Sequence, residues 1–242
     1  MVKKVRVLDI DFHSIQKMQL LEELKTRIMD GTKTFLVTAN PEIVMYADQD
    51  EEYKRIVKSA DFIIADGIGV IIGSRIIGQS LPERIPGFEL MQDLLKEGNE
   101  KKWSAYFLGA KNEVVKKAVE NIQKQYPDLR IAGYHDGYFD AESAEIPNEI
   151  MQAKADLVFV ALGFPRQEKF IAEKLVHLEK GLLVGVGGSF DVLAGAVKRA
   201  PVIWQKLNLE WFYRLIKQPS RWRRMLVLPL FILRMVKERF KR

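Results

Sequence analysis

Five short apolar, β-branched runs punctuate the chain, at 34–38, 62–65, 105–108, 157–161 and 182–186, and each is followed by a longer stretch of helical spacing. Strand–helix alternation of this kind predicts an α/β fold, Rossmann-like, with a largely parallel sheet and helices on both faces. In such sheets ligands bind in the crevice beyond the carboxyl ends of the strands, so the residues just after each run carry the most information. They read Thr38-Ala39-Asn40-Pro41-Glu42, Asp66-Gly67-Ile68-Gly69, Gly109-Ala110, Gly163-Phe164-Pro165-Arg166-Gln167-Glu168 and Gly187-Gly188-Ser189-Phe190-Asp191. Taken singly, each has a local explanation. Asn40-Pro41 suits a helix N-cap followed by proline in the first turn, and Asp66-Gly67 suits a turn. Five such ends on one edge point to a site, with glycines letting backbone approach a ligand and helix N-termini offering amides to a diphosphate.

The pattern changes after residue 200. Trp204, Leu207, Trp211 and Leu215 recur at helical spacing, Arg214, Lys217, Arg221 and Arg224 form a separate stripe, and Pro219 interrupts the helix. Beyond it, an apolar run at 225–233 is flanked by cations on both sides. The run falls short of the roughly 20 apolar residues needed to span a bilayer, but an apolar face with cationic flanks and aromatics suits a helix lying in a membrane interface. The expectation is an α/β domain over 1–200 and a C-terminal helical membrane-binding appendage over 201–242. The other reading of the tail is a helical hairpin packed on the protein's own core or on a subunit partner. An apolar tail helix invites self-association as readily as membrane binding, so a homo-oligomer stays open.

Charge sharpens the membrane reading. The 242 residues carry 38 Lys and Arg against 32 Asp and Glu, yet positions 201–242 alone hold eleven bases and two acids. The body is therefore slightly acidic and the excess sits in the tail, where each cation near an anionic leaflet contributes on the order of 1 kcal/mol. A nucleic-acid partner is not expected, because the greasy residues form a block beyond the arginines instead of alternating with them along one groove. The absence of cysteine excludes disulfide and thiolate chemistry. The first residues run into a strand-like segment without a signal-peptide apolar stretch, so the expected location is the cytoplasm, peripherally on the inner face of the cell membrane.

Two familiar motifs fail. Gly185-Val186-Gly187-Gly188 follows a strand as a nicotinamide fingerprint would, but the third glycine position is Phe190, and Gln205 and Lys206 stand where a ribose-binding acid belongs. Asp9-Ile10-Asp11 has the spacing of a metal-binding pair, but it lies in the first apolar segment, and the three histidines are scattered. No metal and no cofactor is expected.

The ordered set Thr38-Ala39-Asn40-Pro41-Glu42, Ala65-Asp66-Gly67-Ile68-Gly69, Arg84-Ile85-Pro86-Gly87, Phe107-Leu108-Gly109, Leu162-Gly163-Phe164-Pro165-Arg166-Gln167-Glu168, Gly185 to Asp191, Arg199-Ala200-Pro201 and Leu209 to Arg214 closely resembles the TagA/WecG/CpsF family of bacterial glycosyltransferases, nearly end to end. His135-Asp136-Gly137-Tyr138-Phe139 fits more loosely, and His135 receives no role. The resemblance implies inverting transfer of a sugar from a UDP donor, N-acetylmannosamine above all, onto N-acetylglucosamine linked by diphosphate to undecaprenol. In Gram-positive bacteria that product begins the linkage unit of wall teichoic acid. Other members use N-acetylmannosaminuronic acid, glucose or glucuronic acid.

Such chemistry needs a base, a counter-charge for departing UDP and a grip on the donor. Asp66, at a strand end where a partly desolvated carboxylate has a raised pKa, is the expected base. Arg84 and the tail arginines Arg214, Arg221 and Arg224 are expected on the donor or lipid diphosphate, since a guanidinium binds phosphate bidentately. Thr38, Asn40 and Gln167 are expected to read sugar hydroxyls or the acetamido group, and Gly109, Gly187, Gly188 and Asp191 to hold the nucleotide.

Overall fold

The structure, a computed structural model, describes residues 2–140, 142–219 and 222–240. An antiparallel hairpin of β1 (Lys4–Val7) and β2 (Ile10–His13) precedes the main sheet. That sheet comprises β3 (Thr34–Ala39), β4 (Phe62–Ala65), β5 (Ser104–Gly109), β6 (Arg130–His135), β7 (Leu157–Ala161) and β8 (Leu182–Gly185). Its order is β4-β3-β8-β7-β5-β6 and every pairing is parallel. The five anticipated strands are present within about a residue of their expected ends, and each leads into a helix. The edge strand β6 was not anticipated: its sequence, Arg-Ile-Ala-Gly-Tyr-His, is half-exposed and carries no dense apolar run.

Alternation along each strand builds two cores. Val37, Ile63, Tyr106, Val158 and Leu183 face one layer, with the hairpin and the helices Pro41–Gln49, Glu51–Lys58, Ile68–Ile76, Glu145–Ala153 and Arg166–Lys174. Leu36, Phe62, Phe107, Phe159 and Val184 face the other, with the helices Lys17–Met29, Gly87–Lys101 and Asn112–Gln125. Successive connections from β3 run first to one side, to β4, and later across to β5, and the chain returns to β8 beside β3. The carboxyl ends of β3, β4, β7 and β8 therefore surround the place where the winding reverses.

The tail is helical, in more pieces than its spacing implied. Asn208, with φ of 58°, separates the helices Val202–Lys206 and Glu210–Lys217. The backbone N–H of Leu209 closes the turn on the Trp204 carbonyl at 2.8 Å. After Pro219 come Trp222–Met225 and Val227–Arg239. In the last helix Phe231 and Met235 are completely buried in the first core. This close approach depends on glycines of the facing helix: a Cβ at Gly73 would lie 2.8 Å from the Phe231 ring, and one at Gly69 would lie 2.6 Å from Leu228 Cδ1. The second glycine of Asp66-Gly67-Ile68-Gly69, which lines the cleft beyond the strand ends, thus admits both Pro41 of the neighbouring helix and Leu228 of the tail. Arg234 pairs with Asp48 at 3.1 Å, and Arg239 donates to the Ile76 carbonyl at 2.7 Å. One face of the tail is consequently part of the core. Among the described residues no helix is long and apolar enough to cross a membrane.

Candidate active site

A cleft of about 470 Å³ opens over the carboxyl ends of β4, β3, β8 and β7 and is roofed by the tail. Of the residues expected at the site, Thr38, Asn40, Asp66, Arg84, Gln167, Gly187, Gly188, Arg214 and Arg224 all line it. Gly109 and Asp191 do not line it, and Arg221 lies outside the described residues. Gly109 sits at φ of 122° with its α-carbon against β7, where a Cβ would meet the Ala161 carbonyl oxygen. Strand packing accounts for that glycine.

Asp66 directly follows β4, and its backbone N–H donates to the Ala39 carbonyl at 3.0 Å, which extends the parallel pairing into the cleft. Its Oδ1 accepts the N–H of Gly87 at 3.1 Å, one of the orphan donors opening the helix Gly87–Lys101. No other described residue donates to the carboxylate. Burial pushes the Asp66 carboxyl up, against the Gly87 hydrogen bond and the charges of Arg84 and Arg214, which pull it down; Glu210 adds to the rise. The result is a fixed carboxylate with one occupied oxygen and elevated basicity.

Beside it lies a charge network that the sequence did not foreshadow. Glu210, from the tail, accepts from Arg84 at 3.2 Å and from Arg199 Nε at 3.2 Å. Arg199 reaches on to Glu89 at 2.7 Å and stacks over Phe88 with 5.1 Å to the ring centroid. Burial opposes ionisation of Glu210, but the hydrogen bonds from Arg199 and Arg84 prevail and hold its carboxyl below the usual range. Arg84 is thereby oriented by a protein carboxylate. Glu210→Ala leaves two largely buried guanidiniums without their shared partner and is expected to cost on the order of 3 kcal/mol of stability, read as a lowered urea midpoint. An unchanged midpoint would mean that the network does not hold the tail to the cleft.

The remaining polar groups divide by engagement. Asn40, which lines the cleft, caps the helix Pro41–Gln49 with its Oδ1 accepting from Ile43 N at 3.1 Å. Gln167 is buried with both ends of its amide in use: Oε1 accepts from Gly187 N at 3.0 Å and Nε2 donates to Glu168 Oε1 at 2.7 Å. Arg224 forms a bidentate pair with Glu42 at 2.7 and 2.9 Å, the geometry with which a guanidinium meets phosphate. Arg214 is exposed and has no carboxylate partner among the described residues. Asp11 is clamped by Arg6 at 2.7 Å and Asp9 faces Lys54 at 3.4 Å, and neither lines the cleft. Among the described residues no group of three or more His, Cys, Asp or Glu could hold a metal ion.

The arrangement supplies a basic carboxylate, cations at the cleft mouth and amide groups, as transfer of a group from a diphosphate leaving group requires. Comparison with known proteins agrees. Residues 5–242 match the description "Glycosyl transferase WecG/TagA/CpsF family". Proteins named N-acetylglucosaminyldiphosphoundecaprenol N-acetyl-beta-D-mannosaminyltransferase are similar along most of their length. That of Bacillus spizizenii is 43% identical over 230 residues, covering 94% of this chain and 89% of its own. That of Bacillus subtilis is 46% identical over 201 residues, covering 83% and 78%. That of Staphylococcus aureus is 40% identical over 240 residues, covering 98% and 94%. The chain belongs to the WecG/TagA/CpsF family of glycosyl transferases.

Proposed function

We propose that this chain moves N-acetylmannosamine from UDP-N-acetylmannosamine to N-acetylglucosamine on undecaprenyl diphosphate, forming the β-1,4-linked disaccharide-lipid that begins the wall teichoic acid linkage unit. The names of the relatives support the substrate pair. The observation that carries the mechanism is Asp66: its carboxyl is held by the Gly87 N–H, raised by burial and open to the cleft. Asp66 takes the proton of the acceptor hydroxyl as that oxygen attacks the anomeric carbon. The bond from this carbon to the diphosphate oxygen breaks, its electrons leave with UDP, and the anomeric configuration inverts. The donor diphosphate lies against the loop Val186 to Gly188, with Arg214 as its counter-charge and Arg224 joining by exchanging Glu42 for phosphate, so that guanidiniums serve where other enzymes use a divalent metal ion. The Asn40 and Thr38 side chains read the sugar.

The α/β body over 1–200 carries the chemistry, and the segment over 201–242 brings it to the lipid. Burying Phe231 and Met235 leaves a second apolar stripe along the last helix and its two ends pointing outward: Leu226, Leu230, Leu233 and Phe240 are exposed, and exposed Phe212, Ile216 and Trp222 precede them in the tail. Exposed Lys206, Lys217 and Lys237 accompany them. A helix apolar on two faces needs a second partner, and cations beside the outer stripe favour the anionic cytoplasmic leaflet of the cell membrane. The partners are thus the UDP-sugar, the lipid-linked acceptor and the membrane surface.

The test is UDP release from UDP-N-acetylmannosamine in EDTA, with and without a lipid-diphosphate N-acetylglucosamine analogue. Acceptor-dependent release is expected. Release only with another UDP-sugar would change the donor, and release only after adding a divalent cation would remove the arginine account of the leaving group.

A further inference from the structure

The most costly side chain outside the chemistry is Glu168. It is 2% exposed, and its Oε2 finds no hydrogen-bond partner among the described residues. The Tyr53 hydroxyl, buried beside it, interacts with this carboxyl without reaching the geometry of a full hydrogen bond. Burying a carboxyl with an unsatisfied oxygen destabilises a fold, and an apolar side chain of similar volume in its place is commonly neutral or stabilising. Apolar packing therefore does not account for this acid.

Its satisfied oxygen does. Glu168 Oε1 accepts from Gln167 Nε2 at 2.7 Å, and Gln167 Oε1 accepts the Gly187 N–H at 3.0 Å. The amide is wedged beneath the loop that follows β8: a Cβ at Gly185 would lie 2.5 Å from Gln167 Nε2. An amide can turn over about its last bond, exchanging oxygen for nitrogen, and only the oxygen accepts from Gly187. The acceptor at Glu168 selects the orientation that does so. We infer that Glu168 is a positioning residue for the donor site, fixing the Gln167 amide so that it pins the Gly187 backbone at the floor of the cleft. This rests on the reading above that the UDP moiety lies against the loop Val186 to Gly188. Burial raises the Glu168 carboxyl, and a neutral carboxyl still offers Oε1 to the amide.

UDP itself is the probe, measured by calorimetry on the full chain, so no turnover and no donor sugar is needed. Glu168→Met is expected to weaken UDP binding about tenfold while the chain stays folded, with the Tyr53 hydroxyl losing its neighbour. Glu168→Gln, which restores the acceptor, is expected to recover most of that loss. In a Gln167→Ala background Glu168→Met is expected to add less than about twofold, because its action passes through the missing amide. Unchanged UDP affinity in Glu168→Met, a loss that adds in full to that of Gln167→Ala, or failure of Glu168→Met to fold overturns the inference. A wild-type chain that binds no UDP removes the donor reading and this inference with it, whereas unchanged affinity in Glu168→Met alone leaves the donor reading intact.

Discussion

Asp66→Asn is expected to lower turnover about a thousandfold or more while UDP still binds within a few-fold of the wild type. The asymmetry follows from the two oxygens. The asparagine carbonyl can still accept from Gly87 N–H, so the start of the helix Gly87–Lys101 keeps its cap and the cleft its shape. What disappears is the ability to take a proton, which in general-base catalysis is worth about 10²–10⁴ in rate. A variant that loses UDP binding together with turnover would mark Asp66 as a structural turn residue. The wild-type pH profile supplies an independent check. Because burial raises the carboxyl, the ionised base is lost as pH falls through a value above the ordinary aspartate range, and turnover declines on that acid limb. The charges facing Asp66 are Arg84 and Arg214, which lower it, and Glu210, which raises it. Arg214→Ala removes a stabilising cation and should move the limb to higher pH.

Much of this site was legible because parallel α/β sheets put ligands at one edge, and the strand runs were apolar enough to locate that edge from sequence. Thr38, Asn40, Asp66 and Gly187 follow directly from it. What escaped were relations across long sequence distances. Arg84 reads as a free phosphate-binding cation until Glu210, 126 positions away, is seen to hold it. Gln167 reads as a sugar-binding amide until both its ends are found engaged within the protein. Gly69 reads as a ligand-approach glycine, yet Pro41 and Leu228 of the protein itself already crowd it. No local pattern encodes such pairings, since Arg84 and Gly69 gain neighbours when the tail folds back and Gln167 gains Gly187 when β8 is laid beside β7. The tail itself was half legible. Helical spacing and charge identified its helices, but the run at 225–233 is apolar all round, and periodicity cannot assign Phe231 inward and Leu230 outward without a helix to face.

That division decides how the tail must be tested. Removing it would strip Phe231 and Met235 from the core and expose the apolar surface they cover, so loss of activity on truncation would mix lost stability with lost docking. Leu230→Glu with Leu233→Glu changes only the outer stripe, where the two side chains are 55% and 60% exposed. Stability should change by no more than about 0.5 kcal/mol per site. Each leucine entering the acyl boundary is worth roughly 1.5–3 kcal/mol, so losing both should lower partition onto vesicles of anionic phosphatidylglycerol about a hundredfold or more. Turnover of a lipid-linked acceptor presented in those vesicles should fall with it, while UDP affinity, set in the cleft, should not. Raising salt should weaken binding of the wild type as well, because the cations beside the stripe act through screened charge. If the double variant still sediments with vesicles as the wild type does, the outer stripe meets another protein surface, and a change in its oligomeric state would say that the surface is a second copy of the chain.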